Sequence, residues 1–205
     1  MNAPTDGSFS QPDREILLAQ IRESYGRVVY THKTHEKQAD LYFQKHRCQQ
    51  RFFVGLTALS SGTFLVALLG LVVDEVWASL VTSFVALLIS GVSLSVKTFQ
   101  YGEETQKHRD AAAQVWNLRE SYLSLITDLR AGTKTLDEAR VRRDQLQQQA
   151  LEVYSAVPRT TSDAYGLAQK ALKDNEELTF SESELDLLLP VKLRNQQDGK
   201  NNDSK

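Results

Sequence analysis

The side chains with the most chemistry to offer precede residue 52: His32, His35 and Glu36 on neighbouring turns of one helix, His46 farther along, and Cys48 between Arg47 and Arg51. Imidazole and carboxylate at such spacing are the donors of a zinc site, which needs four ligands in a closed tetrahedron. No second cluster of donors matches them, so no metal is expected, and these residues read as charged or aromatic helix surface. Arg47 and Arg51 would favour a thiolate at Cys48, but no partner base or acid is placed by spacing. The thiol reads as a small side chain on a helix face, and a single cysteine excludes an internal disulfide framework.

Other catalytic signatures are missing from the sequence. Gly55, Gly62 and Gly70 fall inside apolar stretches rather than after a strand, so none opens a phosphate-cradling loop, and no nucleophile elbow or zinc-peptidase motif appears. Neither an enzyme nor a cofactor is expected. Arg140, Arg142 and Arg143 form the densest basic group in the second half; they read either as solvated helix charge or as a contact for an anionic headgroup or ligand. A net charge of -2 and a pI near 6.1, with only acidic charges over 174–186, argue against direct nucleic-acid binding.

The elements that carry these residues are organised by two charge-free apolar runs, 52–73 and 76–96, separated by Asp74 and Glu75. Each exceeds 20 residues, enough at about 1.5 Å per residue to cross a hydrocarbon layer of roughly 30 Å. In lipid the backbone must satisfy its own hydrogen bonds, which selects helices. The first run starts too late for an ordinary secretion signal, so both runs are expected in the mature protein. Lys33, Lys37, Lys45, Arg47 and Arg51 precede the first run, Lys97, Lys107, Arg109 and Arg119 follow the second, and the turn has no Lys or Arg. Both termini are therefore expected in the cytoplasm, with 74–75 outside and Trp77 at the outer interface.

The polar arms carry helical periodicity. Residues 1–12 read as a loose tail. Asp13 is a candidate cap for a helix through Ile16, Leu17, Ile21, Tyr25 and Val28 or Val29, and Gly26 is a possible interruption before the pattern resumes at Thr34 with Ala39, Tyr42, Phe43 and His46. With neither Pro nor Gly between Thr34 and Phe53, this second stretch can run straight into the membrane as a rod. After the second run, Ala111, Val115, Leu118, Tyr122, Leu125 and Leu129 form a stripe, broadened by Trp116, Leu123 and Ile126, that Gly132 should stop. Thr135 with Glu138 is a capping-box pattern opening a helix through Val141, Leu146, Ala150 and Val153 or Tyr154, closed by Pro158. A short helix over 162–172 and one capped by Ser181 with Glu184 complete the arm, and the polar tail is 191–205. Trp116, Tyr122 and Tyr154 are expected in the core or an interface. The expected fold is an all-α membrane protein: pre-membrane helices over 13–51, a two-helix transmembrane hairpin, and a cytoplasmic helical region over 97–190 that bundles with the first arm.

Within the second run Ser79, Ser83, Ala86, Ser90 and Ser93 form a small-residue stripe. Such a seam lets helices approach closely and lets hydroxyls bond across the contact. It either packs on Ala58 and Gly62 of the first run or, in an oligomer, lines a wetted passage. Neither run holds a charged residue or His, which removes the usual marks of a proton relay or selective filter.

The arrangement resembles the SLATT family, the SMODS- and SLOG-associating two-transmembrane effector proteins of prokaryotic conflict systems. The resemblance covers roughly 14–190. It rests on the arm bearing Tyr30, Thr31, His35, Glu36, Lys37, Gln38 and Ala39, on the paired runs with a very short turn, and on the helix bearing His108, Ala112, Trp116, Leu118, Arg119 and Tyr122, with Tyr154 and Tyr165 beyond. It implies an inner-membrane effector in defence against phage, which oligomerises on a cytoplasmic trigger and compromises the membrane. It also implies a partner such as an operon-encoded nucleotide-producing enzyme or a sensor. A membrane-anchored scaffold for a cytoplasmic partner is the alternative, and a receptor for a nucleotide or other small ligand is a third.

Overall fold

The structure, a computed structural model, describes residues 11–59, 70 and 74–194, and the regular structure among them is helical throughout. Helix α1 (Gln11–Leu59) runs 49 residues without a break, or about 73 Å. The two helices expected before the membrane are one. Gly26 does not interrupt them: a lone helical glycine costs only about 1 kcal/mol relative to alanine, and packing on both sides of it outweighs that. The helix starts two residues before Asp13, which lies in the first turn, where its charge suits the helix dipole.

Helix α2 (Glu75–Phe99) is apolar, and among the described residues one helical stretch, this one continued into the next helix, is long and apolar enough to cross a membrane. Its large side chains are outward: Trp77 is 62% exposed and Leu87 68%. Of the first apolar run, 60–69 and 71–73 lie outside the described residues, and Gly62 with them. Helix α3 (Tyr101–Ala131) follows α2 after a single break at Gln100, whose φ of 39° and ψ of 40° are left-handed. Gly102, the second residue of α3, leaves room for the His46 imidazole of α1; an added Cβ would lie 3.2 Å from that ring.

Short signals end and begin the remaining helices as their residue types dictate. Gly132 takes φ 72° at the end of α3, its N–H donating to the Asp128 carbonyl. Thr135 and Glu138 form a reciprocal capping box at the start of α4 (Leu136–Ala156). Helix α5 (Ser162–Lys173) is capped by Thr161, and α6 (Glu182–Leu188) by the Ser181–Glu184 capping box. A 3-10 turn, Val191–Leu193, closes the described chain.

The dominant contact is α1 against α3, with α5 laid on α1 and α4 on α3. The pair runs antiparallel in one register. Arg14 donates to the Leu129 carbonyl, Arg119 lies over Tyr25, His32 meets Ala112, Tyr42 stacks on Tyr101, and Gln49 donates to Ser95 of α2. Each advance along α1 is matched by an equal retreat along its partner, within a residue, and the register crosses the break at Gln100. The core at the end away from α2 is apolar: Leu17, Ile21 and Val28 face Val115, Leu118, Tyr122, Leu125 and Leu129, with Leu136, Ala139 and Leu146 from α4. Helix α5 comes close because Ala164, Ala168 and Ala171 form its buried face, and the Gln38 side-chain carbonyl accepts from both the N–H and the hydroxyl of Thr161 at 2.9 and 2.8 Å.

Several expected core positions are exposed. Ile16 is 70% exposed and Val141 58%, while their neighbours Leu17 and Leu146 are buried. A helix turns about 100° per residue, so a helix covered on one side only buries a narrower stripe than its apolar residues span. Trp116 and Leu123, each 38% exposed, likewise lie at the edge of the α3 stripe. Tyr122, by contrast, is fully buried. Leu129→Ala is therefore expected to cost about 2–5 kcal/mol and Val141→Ala less than about 0.5 kcal/mol, checked by denaturant unfolding of the protein in detergent.

Candidate functional site

The seam between α1 and α3 changes character along its length. At the end nearer α2 the buried side chains are His32, Lys33, Thr34, His35 and Gln38 on α1 and Thr105 and His108 on α3. Small residues, Ala39, Ala111 and Ala112, let the two backbones approach around them. Polar groups taken out of water must find partners, because each unmet donor or acceptor costs on the order of 1–3 kcal/mol. Here they find one another. The Nδ1 atoms of His35 and His108 lie 2.9 Å apart, so one donates and the other accepts. His32 Nδ1 is 3.0 Å from the Ala112 carbonyl, which can only accept, so this nitrogen carries the proton and donates. Its Nε2 faces Glu36 at 3.6 Å.

Aromatic rings continue the seam toward α2. Tyr42 stacks on His108 at 5.5 Å and on Tyr101 at 6.1 Å, and Tyr101 lies nearly parallel to Phe99 at 5.5 Å. The Lys45 ammonium sits 5.7 Å from the Tyr42 ring and 5.9 Å from Tyr101. This collar surrounds the break at Gln100, where the apolar helix becomes the bundle helix.

Beside the buried histidines opens a cavity of about 780 Å³, lined by α1, α3 and the segment after α5; its walls include Lys33, Lys37, Arg109, Trp116 and Glu177. That volume is within the range of about 300–1,000 Å³ of small-molecule sites. Trp116 forms a flat wall, with the His32 ring 5.0 Å away and the Arg119 guanidinium 4.4 Å over its face. Glu177 reaches in from the far side: its Oε2 is 2.6 Å from Lys33 Nζ and its Oε1 3.1 Å from Lys37 Nζ. Lys33 also bonds Glu36 at 2.7 Å.

The electrostatics follow from this geometry. Burial, then repulsion from His108 and His32, lowers the His35 pKa to about 4, and burial also lowers that of His108 although Glu104 opposes it. Burial disfavours the charge on Lys33, but its bonds to Glu177 and Glu36 outweigh that and hold its pKa above the usual lysine value. The hydrogen bonds from Lys33 and Lys37 bring Glu177 down to about 2.

By sequence, His32, His35 and Glu36 read as helix surface. Glu36 is partly exposed, but His32 and His35 are buried, at 5% and 2% exposure, because α3 supplies a partner for each. The sequence gives His108 only as one of the residues of the family resemblance and Glu177 only as part of the acidic stretch 174–186; the clue to a buried role is a run of polar residues on α1 in step with the apolar positions that precede it. Among the described residues no group of three or more His, Cys, Asp or Glu is arranged to hold a metal. Cys48 is exposed.

The other predicted site residues are not gathered into one place. Ser79, Ser83, Ala86 and Ser90 are exposed on α2 and Ser93 is half-buried, with the Ser79 hydroxyl donating to the Val76 carbonyl and Ser90 to Ala86 within the helix. Ala58 is exposed near the end of α1. Arg140 pairs with Asp137 at 3.0 Å, Arg142 bonds Gln145 at 3.2 Å, and Arg143 bonds Asp144 and, across to α1, Gln20.

A long helix with a polar buried seam, joined end to end with an exposed apolar helix, defines an all-α module with one segment long and apolar enough to cross a membrane among the described residues. The chain belongs to the SMODS and SLOG-associating 2TM effector domain family 4, whose model matches residues 17–184. No curated protein and no solved structure matches it.

The seam makes stability depend on pH with a definite sign. Below about pH 6.5 the unfolded histidines take up protons that folded His35 resists until about 4, so stability falls as pH drops through that window, by on the order of 3 kcal/mol. Glu177 acts in a lower window: its contribution is present above 4.5 and is lost as pH falls toward 2. Melting of the full chain in lipid nanodiscs should show the upper transition, and replacing both His35 and His108 with Gln should flatten it while leaving the lower one; an unchanged upper slope would refute the assignment.

Proposed function

We propose that the chain is a two-span effector of a prokaryotic conflict system, which assembles on a cytoplasmic trigger and makes the inner membrane leaky. The observation that carries this reading is the unbroken α1, which leaves the polar seam and continues as helix through 52–59 of the first apolar run. A rigid rod transmits displacement, so a change of packing at His32 or His35 becomes a change of tilt or association in the spans. The α1–α3 register continues into α2 through Gln49 and Ser95, and carried forward it sets Ala86 level with Ala58. Close approach at that level suits small residues.

In this reading both arms lie in the cytoplasm, as the Lys and Arg distribution favours. Two helices cannot enclose a water-filled path, so the leak requires several copies, and the Ser-bearing face of α2 lines it. The output is ion flux rather than catalysis. The trigger is a ligand or partner supplied from the cytoplasm, such as the product of a nucleotide-making enzyme encoded alongside.

A second reading, a membrane-anchored scaffold, is favoured by exposed apolar residues on α6, where Leu187 is 71% and Leu188 74% exposed. The two separate in cells. With the neighbouring genes supplied, phage infection should depolarise cells expressing the protein, and the combined replacement of Ser83, Ala86 and Ser90 by Leu should abolish depolarisation while the protein remains in the membrane fraction. Protection from phage with an intact membrane potential would sink the leak and favour the scaffold.

A further inference from the structure

The contact between Glu177 and the two lysines has the form of a ligand in its site. One carboxylate uses both oxygens to bridge Lys33 and Lys37, with Nζ–O distances of 2.6 and 3.1 Å. It arrives from a segment with no helical need to be there: after α5 the chain bends so that Glu176 has φ 52° and Leu178 φ 71°. Neither is glycine, and left-handed backbone is strained for residues with a Cβ. The Glu177 N–H reaches back to the Ala171 carbonyl at 2.9 Å, and Thr179 N–H to that of Glu176 at 3.0 Å. Two strained residues thus flank one carboxylate, and the lysines hold it in place.

Withdrawing that carboxylate has two consequences. The cavity wall would keep Lys33, Lys37, Arg109 and His32 against only Glu36 and Asp40. Buried Lys33 would lose one of its two partners, and a buried ammonium short of partners draws in an anion. Glu177 and Leu178 also line a second cavity of about 290 Å³, together with Tyr25 and Arg119. They are the partition between the two spaces. Moving them would open one space to the other beside Arg119, whose buried Nε has no hydrogen-bond partner.

We propose that the groove between α1 and α3 binds a soluble organic anion, a phosphate or carboxylate on a flat ring, and that Glu177 is a built-in occupant which the ligand displaces. The anionic group takes the place of the Glu177 carboxylate on Lys33 and Lys37. The ring lies on Trp116, beside Arg109. Release of Glu177 relaxes Glu176 and Leu178 and frees the segment between α5 and α6. A lipid headgroup is the wrong source for this anion: Lys37 precedes Phe52 by 15 residues, about 22 Å along α1, whereas the headgroup layer is only about 5–8 Å deep. The assignment supplies the trigger for the effector reading above, but it is tested by binding and so stands or falls apart from any leak.

The test uses the full chain in phosphatidylcholine nanodiscs, with phenyl phosphate as probe and titration calorimetry as readout. Glu177→Gln weakens the built-in competitor and should tighten probe binding about tenfold relative to the wild type; adding Lys37→Met, at a position that need not disturb the core, should erase the gain. Saturating probe should also speed hydrogen exchange at the Glu177 and Thr179 amides of the wild type. Failure of Glu177→Gln to bind more tightly than the wild type, including no binding by either, would overturn the proposal, as would full affinity retained without Lys37. Competition of the probe by phosphatidylglycerol added to the nanodisc would overturn the assignment to a soluble anion.

Discussion

The antiparallel register of α1 and α3 is the constraint on which the other contacts rest. It brings His35 to His108 and His32 to the Ala112 carbonyl, aligns the aromatic collar with the break at Gln100, and presents to α5 the Gln38 carbonyl that ties down Thr161. A slip of one residue would turn each of these side chains by about 100° and leave several buried polar groups without partners. An apolar seam tolerates such a slip better, because dispersion contacts are not directional. The polar half of the bundle therefore sets its alignment, while the apolar half, from Leu17 to Val28 and from Val115 to Leu129, supplies most of its cohesion.

This division of labour places the adaptable region next to the apolar helix α2. Hydrophobic burial is densest at the far end, where α4 also packs. Toward α2 the seam depends on protonation states, on rings stacked around a left-handed residue, and on ion pairs from a segment 140 residues away in sequence from Lys37. Regions with few apolar contacts open more readily than cores. An opening there lies on the same continuous helix as residues 52–59 of the first apolar run, so the site most open to influence is also the one closest to the apolar segments.

Much of the fold could be read locally. The capping boxes at Thr135–Glu138 and Ser181–Glu184 and the stop at Gly132 all appear in the structure, because each depends on residues within one turn. The long α3 stripe was legible for a related reason: Ala111, Val115, Leu118, Tyr122, Leu125 and Leu129 are all buried, and helical period alone relates them. Periodicity could not say how wide a stripe α1 and α4 would bury. That depends on how many neighbours each helix has, which is why Ile16 and Val141 face outward.

The histidines and lysines of α1 show where local reading ends. In sequence, His32, Lys33, His35 and Lys37 look like any solvated helix face. His35 is buried only because His108 lies 73 residues later on a helix that returns in register, and Lys33 only because Glu177 is carried back by α5. What the sequence by itself determined was the helices after the second apolar run, with the caps at Thr135 and Ser181 and the stop at Gly132, and two runs long and apolar enough for lipid, since propensity, capping and transfer from water are sums over neighbouring residues. Which polar residues would share a dry seam, and which carboxylate would close the cavity beside it, was decided by the tertiary structure alone, because burial of charge depends on partners that only the folded chain brings within hydrogen-bond reach.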